Sequence, residues 1–290
     1  MDIDTALDGI ETIIFQDPGK RGIESLWTPG CLKLAAQKIL ATNKSRQSFI
    51  LTGFSSIKTH SETDGPLGSS ILCSTLVALG FQCSLLTDES SSLVVVAAAS
   101  SNNVLITSKI ENICPFSFII SCERPGRSRK THDYRSMSAN DISQRTAPLD
   151  LLFPGPGETK NYLTIGIGDG GNECGTGNIA DKVSKVVKNG EDICTDRCSN
   201  VLIMAGVSNW GAIALAAALV IVSNDSNGAT VFLKECEDQR NILQKMLDYG
   251  SYDGITGKSE LSIDGMHFEN EHMAVTNAIV EILKTFLNIP

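Results

Sequence analysis

A chain of 290 residues that is 42% hydrophobic and 20% charged has the apolar content for a substantial core, which excludes a disordered polypeptide. Its formal net charge of −9 excludes a general nucleic-acid binder, which needs a basic face. No hydrophobic run approaches the roughly 20 residues that span a bilayer, so no membrane is expected as a partner.

The pattern alternates strand-like and helix-like segments and predicts one α/β domain over 1–290, an open, doubly wound parallel or mixed sheet flanked by helices. The acidic start, Met1 to Asp4, lacks the basic character of a presequence, so a cytoplasmic location is expected. An apolar run at 49–53 ends in Gly53, and Pro66 stands where a helix would begin. Leu67, Ile71, Leu72, Leu76 and Leu79 then mark one helical face. Strands follow at 83–87, 104–107 and 116–122, with 90–99 ambiguous between strand and helix. The polar, Pro- and Gly-bearing stretch 123–160 admits one short helix over 141–153. Strands at 162–167 and 201–205 each lead through a loop into a helix, the first starting near Asn178 and the second running to about Val222. Two helices are expected at 235–249 and 271–287. The nine cysteines are scattered, which fits reduced thiols, and the Cys194/Cys198 pair lacks a second pair to complete a zinc site.

Three loops each follow an expected buried strand and precede an expected helix, so they should share a crevice at the carboxyl edge of the sheet. The first, 52–68, carries Gly53, Glu62 and Asp64; its carboxylates suit acid, base or metal-ligand chemistry, although Asp64 or Thr63 could equally cap the helix at Pro66. The second, 166–177, has six glycines in twelve residues, and the backbone N–H groups of Gly170, Gly171 and Asn172 could cradle an anion. Asp169 and Glu173 add charge there, while no Gly-Lys-Ser/Thr follows to make a P-loop. The third, 206–211, offers Ser208 and Asn209 as polar groups and Trp210 as a pocket wall, or alternatively an N-cap and a packing indole. Between them, five cations fall in 124–135, of which Arg124 and Arg127 are placed to hold a carboxylate in a bidentate way. His272, near the start of the last helix, reads as a capping or packed residue sooner than as a catalyst.

Taken in order, the runs 17–23, 62–66, 123–127, 168–173, 206–211 and 263–265, with Phe268 and His272, resemble the D-glutamate cyclase family. That resemblance implies a lyase interconverting D-glutamate and 5-oxo-D-proline, and a mitochondrial matrix location as the alternative to the cytoplasm. The reaction joins the α-amine to the γ-carboxyl with loss of water. It needs a base for the ammonium, an acid for the departing hydroxyl and a curled substrate, but no cofactor. Glu62 or Asp64 is the candidate base, and Asp169 or Glu173 the candidate acid, protonated or bound to Mg²⁺ or Mn²⁺. Replacing Asp64 or Asp169 by its amide is expected to lower turnover at least about a hundredfold. Two other readings are a phosphate- or nucleotide-binding transferase using the glycine-rich loop and a non-catalytic binder of acidic amino acids.

Overall fold

The computed structural model describes residues 1–56, 60–113 and 116–289. Six strands, β1 (Ser48–Thr52), β2 (Cys83–Thr87), β3 (Val104–Ile106), β4 (Phe118–Cys122), β5 (Leu163–Gly168) and β6 (Val201–Met204), pair in the order β3-β2-β1-β4-β5-β6. Every neighbouring pair is parallel, so the sheet is parallel and not mixed. The strands read as short apolar runs because both faces are covered. Ile50, Leu85, Ile120, Ile165 and Ile203 enter one core, while Phe49, Leu51, Leu86 and Ile119 enter another on the opposite face. Chain direction across the sheet reverses between β1 and β4, so the loops leaving those two strands diverge and open a crevice at their carboxyl ends.

Among the described residues, ten α-helices accompany the sheet: α1 (Ile3–Ile14), α2 (Cys31–Leu40), α3 (Pro66–Ala78), α4 (Ser92–Ala98), α5 (Ala180–Val186), α6 (Gly190–Ile193), α7 (Ser208–Ser223), α8 (Ser226–Glu237), α9 (Gln239–Asp248) and α10 (Met273–Leu287). The larger core holds residues of α1 to α4 and α7 to α10. The opposite face is covered by the 3₁₀ turn Leu149–Leu152 near β4, and by α5 and α6 near β6. α7 is buried on all sides from Ser208 to Ile221, and its alanines let neighbouring helices approach closely. α3 lies against it so tightly that a Cβ at Gly68 would come within 2.7 Å of the Asn209 carbonyl oxygen. That close approach sets the N-termini of α3 and α7 side by side beneath the crevice.

Several elements differ from expectation for identifiable reasons. The ambiguous 90–99 stretch is a 3₁₀ turn followed by α4. No helix forms over 141–153; only the turns Ser143–Arg145 and Leu149–Leu152 do, separated by Pro148, which cannot donate a helical N–H. The helix expected at 235–249 is two, α8 and α9, meeting at Asp238. α1 is a further amphipathic element, burying Ala6, Leu7, Ile10 and Ile14. A small hairpin, β7 (Ser262–Ile263) with β8 (Met266–His267), turns through Asp264 and Gly265, both at positive φ. An Asp-Gly pair is what such a two-residue turn demands. Cys194 and Cys198 are free thiols. Among the described residues, no helix is long and apolar enough to cross a membrane.

Candidate active site

A cavity of about 400 Å³ opens at the crevice, and its wall carries four carboxyl groups, Glu62, Glu123, Asp169 and Asp264, and two guanidinium groups, Arg21 and Arg145. Glu123 and Asp169 directly follow β4 and β5, so the strand ends place them. Arg21 comes from the turn after α1, which the Asp17 carboxylate closes by accepting the N–H groups of Arg21 (2.9 Å) and Gly22 (2.8 Å). Asp264 comes from the hairpin turn.

Arg21 bridges two of these acids, at 2.6 Å from Asp169 Oδ1 and 2.7 Å from Asp264 Oδ2. Burial pushes Asp264 up to about 7, against the pull of Arg21 and with the help of the Asp169 charge. Asp169 is raised too, by burial opposed by Arg21, and its buried Oδ2 has no hydrogen-bond partner. Glu62 is raised to about 8, by burial against a weaker opposing hydrogen bond from Ser56. Its loop is clamped by the 251–254 segment: Thr63 N–H donates to the Tyr252 carbonyl at 2.9 Å, and a Cβ at Gly254 would run into the Glu62 carboxylate. Glu123 sits at φ +49, in the left-handed region, and accepts the Ser208 hydroxyl at 2.6 Å. Burial, Asp169 and Glu173 hold its carboxyl well above the ordinary range. Gly65 opposite must lack a side chain, because a Cβ there would stand 2.6 Å from Glu123 Cβ.

Asp64 plays a different part. Its oxygens accept the N–H groups of Ser208 (2.9 Å) and Asn209 (2.8 Å), at the start of α7, and of Gly65 (2.9 Å). Asn209 answers with its side-chain oxygen, which accepts Gly65 N–H (3.0 Å) and Gly68 N–H (2.8 Å) at the start of α3. Each residue thus caps the other's helix, supplying acceptors that the first helical turns lack. The helix Asp64 caps is α7, not the one beginning at Pro66. Burial, with the Asp264 and Asp169 charges, pushes its pKa up, and the Asn209 and Ser208 amides pull against that.

The structure thus brings Glu62 and Asp169 to the cavity wall, while Asp64 and Glu173 are not among its lining residues. Glu173 accepts the N–H groups of Gly170 and Gly171, both at 2.7 Å, so the amides expected to cradle a ligand hold the loop's own carboxylate. Asn172 donates to the Arg135 carbonyl at 2.9 Å. Ser208 and Asn209 are engaged as described. Gly53 gives its carbonyl to Arg124, whose guanidinium also meets the buried Asp88 at 2.6 Å and the Ala147 carbonyl at 2.9 Å. Arg127 donates to the Tyr134 hydroxyl (3.2 Å) and stands 3.7 Å from Asp150. Neither arginine lines the cavity. Trp210 is buried and donates to His272 Nδ1 at 3.0 Å, and His272 Nε2 meets Gln239 at 3.0 Å. Burial drives His272 down to about 3, so it is a neutral core residue. Arg21, Glu123, Arg145 and Asp264 are the residues that local sequence left without a role. The Asp-Gly signature of a tight turn and the place of 263–265 among the matching runs were the available signals for Asp264.

Among the described residues, two groups of carboxylates have oxygens within 4.8 Å of one another: Asp64, Asp169 and Asp264, and Glu123, Asp169 and Glu173. In the first, Arg21 already supplies a positive charge to two members. In the second, Glu173 is held by two amides and Glu123 by Ser208, and the orphaned Asp169 Oδ2 is the oxygen best suited to a further cation.

The human protein named "D-glutamate cyclase, mitochondrial" is 26% identical to this chain over a 318-position alignment, covering 94% of the chain and 51% of the relative. The chain therefore spans about half the length of that curated relative. Residues 10–280 match the family described as D-glutamate cyclase-like, C-terminal, in a continuous span that includes every group on the cavity wall. The chain belongs to that family.

Proposed function

We propose that the chain is a D-glutamate cyclase, a lyase that closes D-glutamate to 5-oxo-D-proline with loss of water and runs the reverse reaction. The observation that carries this reading is a single cavity holding a carboxyl raised to about 8, Glu62, and the Arg21-bridged Asp169/Asp264 pair. Proton carriers with pKa values near the operating pH are what an internal amide-forming condensation needs.

Glu62, protonated at neutral pH, gives its proton to the γ-carboxylate and makes it an electrophile. Asp169, whose anionic form Arg21 favours against burial, takes one proton from the substrate ammonium. The free amine attacks the γ-carbon. The second nitrogen proton then returns to Glu62, and the proton on Asp169 leaves with the hydroxyl as water. Two protons leave nitrogen, two leave in water bound to one γ-oxygen, and both carboxyls end as they began. Confinement supplies the curled, near-attack geometry. Asp264 and Glu123 bracket the pair, and Ser208 orients Glu123.

A divalent ion such as Mg²⁺ or Mn²⁺ would take Asp169 Oδ2 with Glu123 and supply Lewis acidity toward a carboxylate oxygen. None of the proton transfers above depends on it. The transferase reading has no observation in its favour, since Glu173 fills the glycine loop and four carboxyls on the wall disfavour a phosphate. A mitochondrial location for this chain rests on the name of the human relative alone, and organelle fractionation would read it out.

The test is incubation with D-glutamate, L-glutamate and 5-oxo-D-proline, with products resolved by chiral chromatography. Interconversion of the D compounds alone is expected. Binding of D-glutamate without any product would make the protein a binder of acidic amino acids and end the cyclase reading.

A further inference from the structure

The two sides of the cavity differ in charge. The acids enter from the strand ends, the 61–64 loop and the hairpin turn, and Arg21 is bound among them. The other side is formed by the 136–145 segment, which lines the cavity with Ser136, Met137, Ser138, Asn140 and Arg145 and contributes no carboxyl to it.

That second wall is braced along its length. Ser136 N–H donates to the Asn140 carbonyl (3.0 Å) and Ile142 N–H to the Tyr134 carbonyl (2.9 Å). Arg135 ties the turn by donating to the Ala139 carbonyl (3.0 Å), and Asn172 fastens the segment to the glycine loop through the Arg135 carbonyl. Tyr134 and Ile142 pack with Phe54, and the Tyr134 hydroxyl reaches the buried Asp150 at 2.5 Å. Arg145 closes the 3₁₀ turn Ser143–Arg145, its N–H donating to the Ile142 carbonyl at 2.9 Å. Arg145 thus lines the cavity from a backbone with little freedom, a condition for a binding residue to act without a large entropic cost.

D-Glutamate brings three charged groups. The ammonium and the γ-carboxyl react and must meet the acids. The α-carboxylate passes unchanged into 5-oxo-D-proline and is never neutralised, so beside the acids it would face the Asp169 carboxylate at the start of the cycle and the Glu62 carboxylate once Glu62 has given up its proton. Resting on the cyclase reading, we propose that Arg145 binds the α-carboxylate of substrate and product, while Arg21 remains with Asp169 and Asp264. Arg145 is then a specificity-determining residue: it fixes the end of the molecule that does not react and so selects which carboxyl faces the acids. Bidentate geometry is the reason for an arginine at this position.

The experiment compares wild type, Arg145→Gln and Arg145→Lys by calorimetric binding of 5-oxo-D-proline and its uncharged carboxamide, and by D-glutamate turnover. Arg145→Gln should weaken 5-oxo-D-proline binding and raise the KM for D-glutamate by the same factor, about 10- to 100-fold. The carboxamide should bind equally to wild type and variant, a result that a merely structural role would not produce. Arg145→Lys should fall between, and it decides the matter if Arg145→Gln fails to fold. Unchanged 5-oxo-D-proline affinity in the folded variants overturns the assignment, as does a loss confined to D-glutamate, which would place Arg145 on the γ-carboxyl. Wild-type protein that binds neither compound overturns the cyclase reading itself and this inference with it.

Discussion

Asp64→Ala separates a structural clasp from a catalytic group. Alanine would leave the Ser208 and Asn209 N–H groups, at the buried start of α7, without their acceptor. The Gly65 N–H would keep its second acceptor on Asn209. Each buried donor left bare costs about 1–3 kcal/mol, so the loss is on the order of 2–5 kcal/mol, offset slightly by relief of repulsion from Asp264 and Asp169. For a chain of this size that corresponds to a fall in Tm of roughly 3–8 °C. Asn209→Ala should cost less, about 1–3 kcal/mol, because it leaves the Gly68 N–H bare while the Gly65 N–H keeps Asp64. The Gly65 N–H loses one acceptor in each single variant and both in the double. The double variant should therefore be less stable than the sum of the singles predicts, by about 1–2 kcal/mol. Urea melts of the four proteins measure this, alongside kcat/KM at a temperature where all are folded. Activity within about tenfold of wild type is expected for Asp64→Ala. A variant that melts within about 2 °C of wild type and has lost more than about a hundredfold in turnover would refute the clasp and restore Asp64 as a catalyst.

Glu62→Gln should lower kcat at least about a hundredfold. It should also remove an alkaline limb near pH 8, because the protonated carboxyl is lost as pH rises through its raised pKa of about 8. The same shift means that the folded state holds a proton the unfolded state has released, so stability falls as pH rises from about 4.5 through about 8; the Gln variant should lack that slope in urea melts. His272 has the opposite sign. Its pKa is depressed to about 3 from 6.5, so its contribution is complete above 6.5 and is lost as pH falls toward 3, and His272→Gln should flatten the acid side of the stability profile. Arg124→Ala strips the buried Asp88 of its partner and should cost about 3–5 kcal/mol, with KM for D-glutamate unchanged in the folded fraction. Dialysis against EDTA should leave turnover within about twofold, and inactivation reversed by Mn²⁺ would place an ion on Asp169 and Glu123.

The sheet was legible because its strands are buried on both faces: the runs at 83–87 and 201–205 match β2 and β6 to within a residue. α3 and α7 were legible from Pro66 and from unbroken apolar composition. What local pattern could not show is which donor meets which acceptor over long separations. Arg124 follows a buried strand, as a substrate-binding arginine would, yet Asp88 lies 36 residues away in sequence and takes it. Asp64 meets α7 across 144 residues, and Arg21 meets Asp264 across 243. The glycine loop is the exception. Its anion was three residues from Gly170, in Glu173, and an i to i+3 contact was within reach of local reasoning.

Chemical type does not distinguish the acids crowded at this crevice; their hydrogen-bond donors do. Glu173 has an amide on each oxygen, and Asp64 receives three N–H groups, so the lone pairs that would handle a substrate proton are engaged. Glu123 accepts a hydroxyl, and Asp169 and Asp264 share a guanidinium. Donors of that kind favour the carboxylate, while burial alone favours the acid. Burial pushes Glu62 up to about 8 against the Ser56 hydrogen bond, and it raises Asp64, Glu123, Asp169 and Asp264 against their donors as well. Gly254 helps to hold that balance, since any side chain there would press on the Glu62 carboxylate and could bring a donor with it. In the proposed reaction the acid and the base are therefore set apart by their surroundings, with Arg21 favouring Asp169 as the acceptor and burial favouring Glu62 as the source.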